Sequence, residues 1–171
     1  MIITVFGGSR PDEETRRLAY ELGAVIAIRR HVLKNGGYDG TMEEAARGYK
    51  EAGGERVIGV CLRNSNIPSM QIPNMYCTEK IYVDTLAERK IELINTDRVV
   101  ALPGQMGTVD ELISAWNDAS QRNNSAVYLL GERNRKLLEF LVQNGFVKPD
   151  QHLPYVKYVE QIKDIEFLRG D

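Results

Sequence analysis

The chain has 171 residues, a formal net charge of −2, 43% hydrophobic residues and 27% charged residues. That length suits one domain with a full core, expected here over residues 1–171. The charge balance lacks the basic excess of a nucleic-acid binder, and no apolar run approaches the ~20 residues of a membrane span, so neither is expected as a partner.

In chain order, Ile2 to Phe6 is a short apolar run without the basic flank of a signal peptide, and it ends at Gly7-Gly8. It reads as a first strand, and the cytoplasm is the expected location. From Pro11 the pattern turns helical, with Leu18, Leu22, Val25 and Ile26 on one face. Val32-Leu33 is a brief strand ending at Asn35-Gly36-Gly37, and a helix follows from Thr41 to Ala52, closed by Gly53-Gly54. Val57 to Leu62 is a third strand, and Arg63 to Pro73 is a loop. Met75 to Val83 is ambiguous, with part of it a short strand. A helix runs from Thr85 to Asn95 and a strand from Val99 to Leu102, cut off by Pro103-Gly104. The next helix starts near Thr108, with Leu112, Ile113, Trp116 and Ala119 on one face. Ala126 to Leu130 is a strand, and Arg133 to Gln143 a helix with Leu137, Leu138, Leu141 and Val142 inward. Val156 to Val159 reads as a last edge strand and Ile162 to Leu168 as a final helix.

Strands that alternate with such helices imply right-handed crossovers and a parallel sheet. Apolar strands imply helices on both faces. The expected class is therefore α/β, of Rossmann-like type, with ligands at the carboxyl ends of the strands. Cys61 and Cys77 match no metal-binding spacing, and His31 and His152 lie far apart. No disulfide, metal site or cofactor is expected, and both histidines read as structural or surface residues.

Three strand ends share one design: Gly7-Gly8-Ser9-Arg10, Asn35-Gly36-Gly37-Tyr38-Asp39-Gly40, and Pro103-Gly104-Gln105-Met106-Gly107-Thr108. Glycine lets the backbone approach a ligand closely, and the helix start that follows presents free N–H groups to a phosphate. None of the three is a G-x-G-x-x-G or Walker A loop, so a small phosphorylated ligand is expected, not a dinucleotide or NTP hydrolysis. Thr108-x-x-Glu111, Thr41-x-x-Glu44 and Thr85-x-x-Glu88 all have capping-box spacing. Glu111 is thus open to reading as a cap or as a working carboxylate held anionic by the helix dipole. On the helix after Thr85, Leu86, Ala87, Ile91, Leu93 and Ile94 form one apolar arc, with Lys90 within it and Arg89 at its edge. Either the Lys90 stem lies on the core and its ammonium snorkels out, or the helix packs beside a ligand and both cations point into the pocket.

Leu86-Ala87-Glu88-Arg89-Lys90, followed by Pro103-Gly104-Gln105-Met106-Gly107-Thr108-Val109-Asp110-Glu111, resembles the paired signature of the LONELY GUY family, Met-x-x-Arg-Lys and Pro-Gly-Gly-x-Gly-Thr-x-x-Glu. Gly7-Gly8-Ser9 and the Gly36-Gly37 turn resemble the family's earlier glycine turns. The resemblance implies a homodimer that hydrolyses the N-glycosidic bond of a nucleoside 5′-monophosphate, giving free base and ribose 5-phosphate. It implies Arg89 and Glu111 as the catalytic pair. With the turns, it implies Gly8, Ser9, Gly37, Gly40, Lys90, Gly104, Gln105, Met106, Gly107 and Thr108 as the phosphate- or nucleotide-binding residues. The departures are Gln105 for the family's second glycine, Leu86 for its methionine, and Asn35 where many relatives have a third glycine. The alternative is a non-catalytic carrier of a phosphorylated ligand, as molybdenum-cofactor carriers share the fold and the turns. Pyridoxal-phosphate decarboxylation, a label often given to the family, finds no Schiff-base lysine motif here.

Overall fold

The computed structural model describes residues 1–67, 70–122 and 127–169. Its strands are β1 (Ile2–Phe6), β2 (Val32–Asn35), β3 (Val57–Leu62), β4 (Glu79–Val83), β5 (Arg98–Ala101), β6 (Val127–Leu130) and β7 (Val156–Val159). All pair in parallel, in the order β4-β3-β2-β1-β5-β6-β7. The helices are α1 (Glu13–Ile28), α2 (Thr41–Glu51), α3 (Leu86–Ile94), α4 (Met106–Gln121), α5 (Glu132–Gln143) and the single turn α6 (Pro149–His152). The expected α/β class and the edge position of Val156–Val159 are both observed. Ala126, expected to open β6, lies outside the described residues.

Alternate residues of each inner strand face opposite layers, as a period of two requires. Ile3, Val5 and Leu33 pack with Leu22 and Ile26 of α1 and Ala45 and Ala46 of α2. Phe6, Val99 and Ala101 pack with Leu93 of α3 and Leu112 and Trp116 of α4. The sheet is therefore covered on both faces, which explains why its inner strands are mostly apolar, with Thr4, Lys34 and Asn35 as buried polar exceptions. Only Glu79–Val83 of the ambiguous stretch is a strand.

The expected final helix is instead two 3-10 turns, Ile162–Asp164 and Glu166–Leu168, separated by Ile165 in extended geometry. Ile162, Ile165 and Leu168 are all buried. A spacing of three stacks side chains on one side of a 3-10 turn, whereas an α-helix would fan them apart. This segment is tied to the end of α1, where the Arg29 Nε donates to the Leu168 carbonyl at 2.8 Å.

Helix α3 is fixed at both ends. At its front, the Thr85 hydroxyl accepts from the Glu88 N–H while the Glu88 carboxylate accepts from the Thr85 N–H, so this capping box forms as expected. At its rear stands Lys34, a buried lysine on β2. Its ammonium donates to the carbonyls of Glu92 and Asn95 and to the Glu92 carboxylate, all within 3.0 Å. A cation at the carbonyl end of a helix satisfies acceptors that have no partner within the helix.

Candidate active site

The chain fills one half of the sheet from β1 to β4 and then returns to place β5 on the other side of β1. The strand order reverses between β1 and β5, and such a switch point opens a crevice at the carboxyl edge. There the glycine turns meet. The Gly8 carbonyl accepts from both the N–H and the hydroxyl of Thr41. A Cβ on Gly8 would lie 3.3 Å from the Gly104 Cα, and one on Gly40 2.6 Å from the Gly8 oxygen. Gly40 also has φ +70° as it opens α2. These glycines allow three backbones to converge.

A cavity of about 310 Å³ sits over this junction, a volume suited to a small organic ligand. Gly8, Ser9, Lys90, Gln105, Gly107 and Thr108 line it together with Arg89 and Glu111. Gly37, Gly40 and Gly104 stand behind that wall: Gly37 packs against Cys61 and Gly59, Gly40 against Ser9, and Gly104 against Thr108. Met106 points outward and is exposed. The remaining lining includes Gly7, Asp110 and an apolar side made of Met42, Ile67, Met70 and Leu86. Sequence reasoning singled out the Gly7 turn but did not place Asp110 or the four apolar residues in the site. Their side chains sit at a loop, a helix start and a helix edge, where no periodicity reveals which way they face.

Helix α4 begins at Met106, two residues before the expected start, with Gln105 as an extended N-cap whose side chain makes no capping bond. Thr108 and Glu111 are therefore not a capping box, because the helix opens ahead of them. Likewise Thr41 is the first residue of α2, and Glu44 meets Arg47 and Arg16. The N–H groups of the first turn of α4 lack partners within the helix, and Gln105, Gly107 and Thr108 bring that turn to the cavity.

Arg89 and Glu111 form the centre. Arg89 is only 5% exposed. Its Nη1 donates to Glu111 Oε1 at 3.1 Å, its Nε to the Val60 carbonyl at 2.9 Å, and its Nη2 to the Gly36 carbonyl at 3.1 Å. The guanidinium also lies over the Tyr38 ring, 5.7 Å from its centre. All three nitrogens are thus committed, and two of the five N–H donors of an arginine are left over. Burial pushes the Glu111 carboxyl above its ordinary range, while the Arg89 charge and hydrogen bond pull it back. Of the apolar arc on α3, Leu86, Ala87 and Ile91 are exposed and Leu93 is buried, while Arg89 and Lys90 both line the cavity, so of the two alternatives it is the pocket that the cations enter. The Val60 carbonyl, on β3 beyond its last pairing with β2, and the Gly36 carbonyl just past β2 need a donor, and arginine supplies one where a leucine would leave them bare. Lys90 also reaches the cavity, with its ammonium 3.0 Å from both carboxylate oxygens of Asp110.

Among the described residues, no group of three or more His, Cys, Asp or Glu is arranged to hold a metal ion, and no helix is long and apolar enough to cross a membrane. Cys61 and Cys77 are free and buried. Desolvation raises the Cys77 thiol to about 11.

The family model of SLOG cluster4 matches residues 1–153. The chain belongs to the SLOG cluster4 family. Among curated relatives, this SLOG cluster4 chain is 30% identical to the cytokinin riboside 5′-monophosphate phosphoribohydrolase of Mycobacterium tuberculosis, over 95% of this chain and 89% of that one. An uncharacterized protein of Archaeoglobus fulgidus is 33% identical over 71% of this chain and 77% of its own length. Among solved structures, the molybdenum cofactor binding protein of Rippkaea orientalis superposes with a TM-score of 0.73 at 26% identity, covering 95% of this chain and 90% of that one. The molybdenum cofactor carrier protein of Chlamydomonas reinhardtii gives 0.73 at 26%, covering 94% and 90%. The LONELY GUY resemblance seen in the paired signature agrees with the family and with the named phosphoribohydrolase relatives.

Proposed function

We propose that this chain hydrolyses the N-glycosidic bond of a nucleoside 5′-monophosphate, releasing free base and ribose 5-phosphate. The observation that carries the reading is the buried Arg89–Glu111 pair, set in the cavity wall one helical turn past the open amides of α4. The phosphate docks on that first turn, with Gln105, Gly107, Thr108 and Lys90 around it, and places the sugar beside Glu111. Cleavage builds positive charge on the ribose, as in glycoside hydrolysis. An ionised Glu111 opposes that charge and orients the attacking water. Preorganised groups of this kind contribute about 3–4 kcal/mol where measured. Arg89 keeps Glu111 ionised against the burial that favours its neutral form. The apolar side, Met42, Ile67, Met70 and Leu86, receives the base. The relative named as a cytokinin riboside 5′-monophosphate phosphoribohydrolase supports this reading.

The test is incubation with a panel of nucleoside 5′-monophosphates, with free base followed by chromatography. Release from at least one, and none from the matching nucleosides without phosphate, is expected. A second reading, a carrier for a phosphorylated ligand, is favoured by the likeness to the two molybdenum-cofactor-binding structures. It predicts tight binding and no base release with any member of the panel.

The proposal includes a homodimer in the cytoplasm. The exposed faces of Leu86 and Ile91 on α3 and of Ile113 on α4 leave apolar surface of the kind a second copy covers. Sedimentation velocity is expected to give a dimer for the natural chain and a monomer for Ile91→Asp, because a buried unpaired charge opposes association.

A further inference from the structure

The two cations of the cavity are held in different ways. Arg89 is buried and fastened by backbone carbonyls from β3 and from the turn after β2 as well as by Glu111. Lys90 is one-third exposed, and both its hydrogen bonds go to Asp110, whose side chain is 60% exposed. Breaking an ion pair this exposed costs little, whereas extracting Arg89 would strand several buried acceptors. Asp110 is the fifth residue of α4, so its carboxylate lies about one turn from the open amides. Lys90, Asp110, Gly107 and Thr108 all line the same cavity.

We propose that Asp110 is the resident counter-ion of this site: it holds Lys90 until a ligand binds, and the ligand's phosphate displaces it by taking over the ammonium. This rests on the anion-docking part of the function proposed above, and it makes Asp110 a positioning residue that acts through Lys90. The exchange trades one charge-assisted contact for another and lowers the net gain from binding a phosphate. When the phosphorylated product leaves, Asp110 recaptures Lys90, so the grip on the product stays weak enough for release.

The experiment is calorimetric titration of the full chain with inorganic phosphate at low ionic strength. Asp110→Asn is expected to tighten binding about three- to fivefold, the scale of an exposed ion pair. Lys90→Met is expected to weaken it by a similar factor. The double variant should match Lys90→Met alone, and Asp110→Glu should restore the natural affinity. Unchanged binding in Asp110→Asn overturns the proposal. So does an equal tightening in the Lys90→Met background, which would mark plain long-range repulsion. Both outcomes leave the phosphate site itself standing, whereas failure of every protein to bind phosphate overturns the site and the proposal together.

Discussion

Glu111→Gln is expected to lower kcat at least about 10²–10³-fold, the loss seen when a preorganised electrostatic group is removed from a reacting centre. The carboxamide has the shape of the carboxylate, and its oxygen accepts the same Arg89 Nη1–H that now sits at 3.1 Å. The pocket geometry is therefore kept while the negative charge is lost. Because the amides of α4 and Lys90 are untouched, KM and the affinity for phosphate should hold. A fall in kcat with constant KM identifies an interaction made only in the transition state. Steady-state kinetics on the best substrate of the panel, with a thermal melt to verify folding, checks this. Full activity in Glu111→Gln would remove the carboxylate from the mechanism.

Arg89→Gln should be as damaging, for a different reason. The variant loses the cation that opposes desolvation of Glu111. Glu111 works as an anion, so activity falls as pH drops through its pKa. Burial already holds that pKa above the ordinary range, and without Arg89 it rises further. The acid limb of the kcat profile should therefore move to higher pH. The stability linkage runs the opposite way with pH. A carboxyl whose pKa is raised in the folded state supports folding fully below its unfolded pKa and loses that support as pH rises through the folded one. Arg89→Gln should accordingly lose stability on going from acid to neutral pH more steeply than the natural chain. Removing one partner of a buried pair costs about 3–5 kcal/mol, so urea unfolding at two pH values accompanies the kinetics. Arg89→Lys is not a rescue: one ammonium cannot span the Val60 carbonyl, the Gly36 carbonyl and Glu111 with the fork that arginine supplies. An acid limb that stays in place would separate Arg89 from the ionisation of Glu111.

The sheet was readable from the sequence because its inner strands are short apolar runs, Ile2–Phe6 and Val57–Leu62 above all, closed by glycine or loop residues. The turn residues were readable too, since glycine and helix starts have local signatures. What periodicity left open is where α3 faces. The inward position of Arg89 is set by carbonyls from β3 and from the turn after β2, 29 and 53 residues away in sequence. The start of α4 was displaced for a related reason. Its N-cap Gln105 makes no side-chain capping bond, so the Thr108-x-x-Glu111 spacing pointed to a cap three residues late. Ile162, Ile165 and Leu168 carry a spacing of three that a search for helical periodicity absorbs without noticing the tighter turn.

Lys34 and the Thr85–Glu88 box together clamp α3 fore and aft. A rod anchored at both ends cannot slide along its axis, and the guanidinium it bears is locked in register with the strand tips. On the proposed function, ligand preference is expected to change at Met42, Ile67, Met70 and Leu86, which line the cavity and take no part in either anchor. The molecule thereby separates the part that must stay still from the part that is free to vary.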